Sequence, residues 1–472
     1  TLSLQQEPRH KWWTFCAVSV GTFQSVSIIS MISVSLPTLV EQLGADLTSV
    51  QWVILAYSIT MAGLLLAFGR LGDVIGRKKI FVSGFIVFGV GSGLCSVSNS
   101  LATLVASRVL QASGGAMLVS NSTALITSIF SSSERGRALG LNATVVSVAM
   151  MVGPALSGLL IDNLGWRAVF QAHVLISLIG AVLALITLPN IAKQDDLRFD
   201  FIGALLLSMT LVSLTIAFNQ GRQRGWSSPV VLSLLGIWVV SFLLFVIVET
   251  RQEQPVLDLR LLRNREFAIG NAGMFIMSVG GTGSRLALPF FVQNVLGYSV
   301  TELGLMLMAQ SAVNSVVAPL SGWLTDRLGS RWLTSLGMAL SALALILLGT
   351  LGPGVTYSAV VLRLVLLGVG FGFFSTPNNV AVMGSVRPER FGTASGFMGT
   401  MRHLGTTLGL AAIGAVFSDR TAFHASLGSS AGETTGLAGA FRDVMWLVAG
   451  LYVLGSALCL AQNRGKPATP AD

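Results

Sequence analysis

Long uninterrupted apolar runs dominate this chain, and charged residues are confined to the gaps between them. Fourteen runs are visible, near 12–36, 49–69, 80–98, 101–127, 138–161, 168–189, 201–219, 229–248, 267–293, 303–324, 332–352, 357–383, 394–417 and 444–462. Each is close to the ~20 residues that carry a helix across the hydrocarbon of a bilayer. The runs are continuous, without the period-two alternation of a membrane barrel strand, so the pattern predicts an all-α membrane protein with fourteen transmembrane helices.

Composition agrees. Of the 472 residues, 53% are hydrophobic and 10% charged, against about 25% charged in ordinary soluble proteins. The net charge of +9 raises the question of nucleic acid, but the distribution of the charge answers it. Of 29 Lys and Arg residues, twenty fall on the side that holds the N-terminus. Four, Arg108, Arg285, Arg363 and Arg402, lie inside the runs, and only Arg167, Arg222, Arg224, Arg420 and Arg442 fall on the other side. That is the positive-inside bias. It predicts both termini in the cytosol, an even helix count, a multi-pass protein of a bacterial inner membrane, and no nucleic-acid partner. The first apolar run is too long for a signal-peptide core, so no cleavable signal is expected. Cys16, Cys95 and Cys459 all fall in predicted helices and read as small hydrophobes.

A pattern in the short loops occurs twice. Gly69-Arg70-Leu71-Gly72-Asp73-Val74-Ile75-Gly76-Arg77-Lys78-Lys79 and Gly322-Trp323-Leu324-Thr325-Asp326-Arg327-Leu328-Gly329-Ser330-Arg331 share the form G-x-L-x-D-x-x-G-x-[K/R], and they start 253 residues apart. Arg108 and Arg363 open similar helical segments 255 residues apart, as do Glu134-Arg135 and Glu389-Arg390. Three markers at nearly one offset predict two homologous halves, and transporters built from repeats place the substrate where the repeats meet. Six helices need fewer residues than this offset supplies, so two extra helices separate the halves. The expected plan is an N-terminal six-helix bundle (1–192), two inserted helices with a cytosolic linker (193–266), and a C-terminal six-helix bundle (267–472). The charged linker from Glu249 to Glu266 is expected along the cytosolic membrane surface. The Gly/Ser/Thr-rich stretch from Ser418 to Arg442 is expected to be a mobile extracellular loop.

With these motifs in place, the chain resembles the major facilitator superfamily, in particular its 14-helix drug/proton antiporter branch. The likeness rests on Gly69–Lys79, Arg108–Gly115, Gly153-Pro154-x-x-x-Gly158, Trp166-Arg167, Asn219-Gln220-Gly221, Leu262–Phe267, and Pro289–Gln293 with Gly297-Tyr298-Ser299. It implies a secondary transporter that exports amphipathic small molecules by alternating access, with membrane lipids as surroundings and protons as the coupling ion. It implies no enzyme activity. No cofactor is expected: there is no Walker loop and no metal-ligand spacing, and Gly368-x-Gly370-x-Gly372 lies inside an apolar helix with no preceding strand. A monomer is expected.

The resemblance assigns Gly69, Asp73, Gly76, Arg77 and Lys78, with Asp326, Arg327 and Arg331 in the second copy, to a conformational latch. Asp73 would meet the positive N-terminus of a helix in the other half. The residues alone also fit a topological anchor. Gly153, Pro154 and Gly158 read either as an export-linked bend or as a plain packing kink. Arg108 lies inside a span and must face protein or water; it shares a face with Gln111, Gly115 and Ser122. It reads as a coupling residue or as a structural arginine bonded to carbonyls.

Arg285 lies well inside helix 9, on a face with Ser278, Thr282, Pro289 and Gln293. Arg402 and His403 lie early in helix 13. Gln24, Asn121 and Asn378 complete the polar set assigned to the cavity. His173 and His403 are the histidines able to titrate there. The branch usually carries an acid in helix 1 nine positions before a proline such as Pro37; here that position is Ile28. No Asp or Glu occupies the middle of any run. A cavity with Arg285 and no acid predicts anionic or zwitterionic amphiphiles, lipids included, and weak or absent proton coupling.

Overall fold

The computed structural model describes residues 8–130, 132–189, 201–251, 259–386, 391–427 and 432–462. Among these there is no strand, and fourteen long helices follow the apolar runs. They are α1 (Pro8–Leu43), α2 (Trp52–Ile75), α3 (Arg77–Ser96), α4 (Leu101–Ile129), α5 (Ser132–Leu164), α6 (Arg167–Thr187), α7 (Phe201–Arg224), α8 (Pro229–Arg251), α9 (Arg265–Phe290), α10 (Val300–Leu328), α11 (Ser330–Gly349), α12 (Tyr357–Gly384), α13 (Phe391–Leu427) and α14 (Gly432–Leu460). Eleven are long and apolar enough to cross a membrane, counting described residues alone. A helix satisfies its own backbone, which hydrocarbon demands.

Two compact units divide the chain at Val212/Ser213, inside α7. In the first, α3 packs on α4 and α6, α2 on α4, and α1 on α5 and α6. In the second, α11 packs on α12 and α14, α10 on α12, and α9 on α13 and α14. Each pairing recurs with the helix number raised by eight. The loop motifs fold alike too. One glycine joins α2 to α3 (Gly76, φ +110°) and one joins α10 to α11 (Gly329, φ +77°). A residue with a side chain is strained at such φ values.

Close glycine crossings also repeat. A Cβ added at Gly84 or Gly114 would strike the facing helix between α3 and α4, and one at Gly337 or Gly370 would do so between α11 and α12. Gly368 and Gly372 press on α10 at Gln310 and Val317. The Gly368-x-Gly370-x-Gly372 run is therefore a packing stripe.

Caps set where several helices begin. Ser100 and Thr103 form a capping box on α4, and Ser299 and Glu302 form one on α10. Asn264 caps α9, accepting from the Glu266 N–H at 3.0 Å, and donates to Ser385 O at 2.8 Å. The inserted helices differ from each other. Ser208 on α7 donates to Gly63 O at 2.7 Å. By contrast α8 is the least covered span, with only 17% of its apolar window buried, so lipid is its natural neighbour.

Some limits differ from the apolar pattern. Helix α5 starts at Ser132, α13 runs to Leu427 and α14 starts at Gly432. The stretch from Ser418 to Arg442, expected as a loop, is helical at 418–427 and 432–442. Polar turns extend these helices beyond the apolar runs. Asp443 ties the ends together, 2.8 Å from His424 Nε2, 3.7 Å from Arg420 Nε and 3.6 Å from Arg442 Nε. In the Glu249–Glu266 linker, 252–258 lie outside the described residues, and Leu259–Arg263 is a 3-10 turn.

Candidate transport site

Three helices of the first unit build the surroundings of Arg108. The guanidinium is 1% exposed, so it is held inside the bundle. Its Nε donates to Val53 O on α2 at 2.9 Å, and Nη1 donates to Gln111 Oε1 one turn along α4. Gln111 Nε2 donates to Ser92 Oγ on α3 at 2.7 Å. The Tyr57 ring completes the cage, 4.3 Å from the guanidinium carbon. Tyr57 in turn donates to Ser25 O on α1 at 3.3 Å. Carbonyl dipoles and a π face hold this cation, and none of these contacts is with a carboxylate.

A second polar cluster joins α1 and α6. His173 is buried; its Nδ1 is 2.8 Å from Val169 O and its Nε2 3.3 Å from Ser27 Oγ. The carbonyl can only accept, so Nδ1 carries the proton. Ser177 Oγ donates to Gln24 Oε1 at 3.1 Å, and the buried Gln24 Nε2 finds no partner. Gly153 on α5 presses on Ser30 and Ser27 O of α1, and Ser157 Oγ donates to Met31 O at 2.8 Å. Pro154 and Gly158 are buried in the same helix.

Asn121 sits against the first loop motif. Its Nδ2 reaches Phe68 O at 3.2 Å, Met117 O at 3.0 Å and Ser120 Oγ at 3.1 Å, and its buried Oδ1 faces Gly72 without a hydrogen-bond partner. Gly69 lies against Ser120, as Gly322 lies against Thr376 in the second unit. Arg77 and Lys78 are half-buried. Arg327 covers the Trp323 ring at 4.0 Å and Arg331 lies 5.4 Å from the Trp332 ring. The side chains of Asp73, Asp326 and His403 lie outside the described residues.

In the second unit, Arg285 is exposed and has no hydrogen-bond or ion-pair partner among the described residues; the same holds for the Arg402 guanidinium. Thr282, Ser278 and Gln293 are half-buried on the Arg285 face. Arg363 is different, donating to Leu347 O at 3.0 Å and Ala359 O at 2.8 Å. Asn378 is fully buried beside Gly270, and neither of its amide atoms has a partner. The buried Asn271 donates to Phe267 O at 2.8 Å and leaves its Oδ1 unpaired. Such orphans are rare in packed cores and mark places for water or ligand. No group of three or more His, Cys, Asp or Glu that could hold a metal occurs among the described residues.

The Major Facilitator Superfamily profile matches residues 18–410 and 270–471, two overlapping stretches that span nearly the whole chain. This chain belongs to the Major Facilitator Superfamily. It is a multi-pass integral membrane transporter of the bacterial inner-membrane type and not an enzyme. Riboflavin transporter RibZ of Clostridioides difficile is 28% identical over 95% of this chain and 97% of its own length. Multidrug resistance protein Stp of Mycobacterium tuberculosis is 31% identical over 86% of this chain and 75% of its own length. The fold superposes on a bacterial homologue of the lysosomal transporter Spinster with a TM-score of 0.71 at 16% identity, covering 96% of this chain and 97% of that one.

Against this family background, sequence reading missed Tyr57 and Tyr452. The latter donates to Met277 O at 2.9 Å and fills the space beside Gly280. Only four tyrosines occur in the chain, and a phenol in mid-span must find a partner; that signal was available.

Proposed function

We propose that this transporter exports small amphipathic molecules by alternating access, and that anionic or zwitterionic head groups are its preferred class. Stp, a multidrug resistance protein, supports the exporter reading. The observation that favours the charge class is Arg285, an exposed, unpartnered cation deep in a span. No carboxylate occupies the middle of any run, so nothing there would attract a cationic drug or carry a proton as a buried acid does. Proton coupling is accordingly weak or absent. The loop residues Asp73, Arg77, Lys78, Asp326, Arg327 and Arg331, with Gly69 and Gly76, control the transport cycle; Gly153, Pro154 and Gly158 serve as a bending point of α5 in that cycle.

The test is binding of matched amphiphiles that differ only in head-group charge to the purified protein in nanodiscs. The anion or zwitterion binds tighter than the cation, and Arg285→Ala removes that preference. Preference for the cation, or unchanged charge selectivity in Arg285→Ala, overturns the class. Uphill efflux driven by an imposed pH gradient overturns the statement on coupling.

A further inference from the structure

From Phe267 to Pro289, α9 is buried or half-buried at every residue but one, and that one is Arg285. From Ala394 to Phe417, the only exposed residue of α13 among those described is Arg402. A lipid-facing helix such as α8 shows several exposed apolar side chains, Ile237, Val240 and Leu243 among them. The opening on α9 is therefore not a lipid face, because α13, α14 and α12 cover the rest of that helix. A cation there must meet water or a ligand.

The two helices run side by side in the same direction. Gly405 lies against Phe275 and Ser278, Gly409 against Val279, and Ile413 against Gly283. Arg402, one turn before Gly405, is thus level with about residues 272–275 of α9. Arg285 lies some ten to thirteen residues further on, about 15–20 Å along the axis. The span Arg265–Val295 has its middle at Gly280, so the two arginines bracket that middle. Their separation exceeds the ~8–10 Å over which salt leaves exposed charges coupled. One anionic group therefore cannot serve both guanidinia.

We propose that Arg285 and Arg402 form a two-point anion site on the second unit, which takes an elongated amphiphile carrying an anionic group at each end and lying lengthwise along α9. This rests on the anionic preference proposed above and adds the second anchor and the length of the ligand.

The experiment compares dodecanoate, dodecanedioate and succinate as probes of the full-length protein in nanodiscs, using wild type, Arg285→Ala, Arg402→Ala and the milder Arg402→Gln. Losing one charge-assisted contact lowers affinity about tenfold or more. Arg402→Ala and Arg402→Gln therefore weaken dodecanedioate by about tenfold and leave dodecanoate unchanged. Arg285→Ala weakens both. Succinate, too short to span the pair, responds to neither Arg402 variant. Unchanged dodecanedioate binding in the Arg402 variants, or equal weakening of both long probes, overturns the two-point site while leaving the Arg285 class intact. Unchanged binding of both long probes in Arg285→Ala overturns the anionic preference itself.

Discussion

Gly72→Ala tests how the first loop motif is held. An added Cβ would overlap Asn121 Oδ1, so Asn121 must swing away. Its amide nitrogen now has three acceptors, Phe68 O, Met117 O and Ser120 Oγ. Two N–H bonds serve them, worth about 1 kcal/mol each, so roughly 2 kcal/mol is lost. Overpacking adds about 1–3 kcal/mol. Better helix propensity of alanine returns about 1 kcal/mol. The net expectation is a loss of about 2–4 kcal/mol.

In an Asn121→Ala background the obstacle is gone. The same Gly72→Ala change then keeps only its propensity gain and stabilises by up to about 1 kcal/mol. The sign reverses, with a coupling of about 3–5 kcal/mol, at or above the upper end for contacting residues. Thermal unfolding of the four proteins in one detergent, followed by tryptophan fluorescence, reads the cycle. Gly72→Ala lowers Tm in the wild type and does not lower it in Asn121→Ala. Equal lowering in both backgrounds refutes the contact as the reason for the glycine.

Other outcomes follow from single contacts. Arg108→Met leaves the buried Gln111 Oε1 without its donor and empties the Tyr57 cage, a cost of about 1–3 kcal/mol, so Tm falls; an unchanged Tm with transport lost in proteoliposomes would show that Arg108 serves the cycle and not the bundle. Gly114→Ala places a Cβ against the backbone of Phe88 and Gly84, which cannot yield, and Gly337→Ala does the same at Phe374; each costs about 3 kcal/mol or more. Gly236→Ala on α8 meets nothing within 4 Å and stabilises by up to about 1 kcal/mol. Asp443→Asn loosens the α13–α14 tie by about 1 kcal/mol, mostly through His424, because the arginines are half exposed; thermal unfolding at low and high salt checks both size and screening.

Helix number and duplication were legible because both rest on local patterns. Apolar length marks a span, and Gly76 and Gly329 recur at one offset because each turn needs a positive φ. Helix ends were less legible. Hydropathy records where the bilayer stops, whereas α13 and α14 continue into water, held by Asp443. The site divides in the same way. Arg108 and Gln111 are one turn apart, so their meeting could be read from spacing. Tyr57 lies on another helix, and only the register between α2 and α4 brings its ring to Arg108. Asn121 looked like one more polar residue for a cavity; the structure places it in a packed notch opposite Gly72, and no periodicity records which glycine faces which side chain. Gln24 and Asn378, read the same way, are also buried within their own units.

The two units repeat a scaffold but not its chemistry. Both use one glycine turn, one glycine crossing and the same helix pairings, which are the parts a six-helix bundle needs to close. The arginines diverge. In the first unit Arg108 is enclosed by Val53 O, Gln111 and the Tyr57 ring. Its repeat partner Arg363 is likewise spent on the carbonyls of Leu347 and Ala359. Arg285 and Arg402 have no such enclosure. Their pseudo-equivalents at the 253–255 offset fall at Ser30 to Ile32 and at Ser147 to Ala149, where no cation stands. A cation retained only in one copy, and left open there, is not part of what closes the bundle. Ligand selectivity should therefore follow the second unit, and exchanging Arg285 for Met, as at Met31 in its counterpart stretch, should alter which molecules bind while leaving the fold as stable as before.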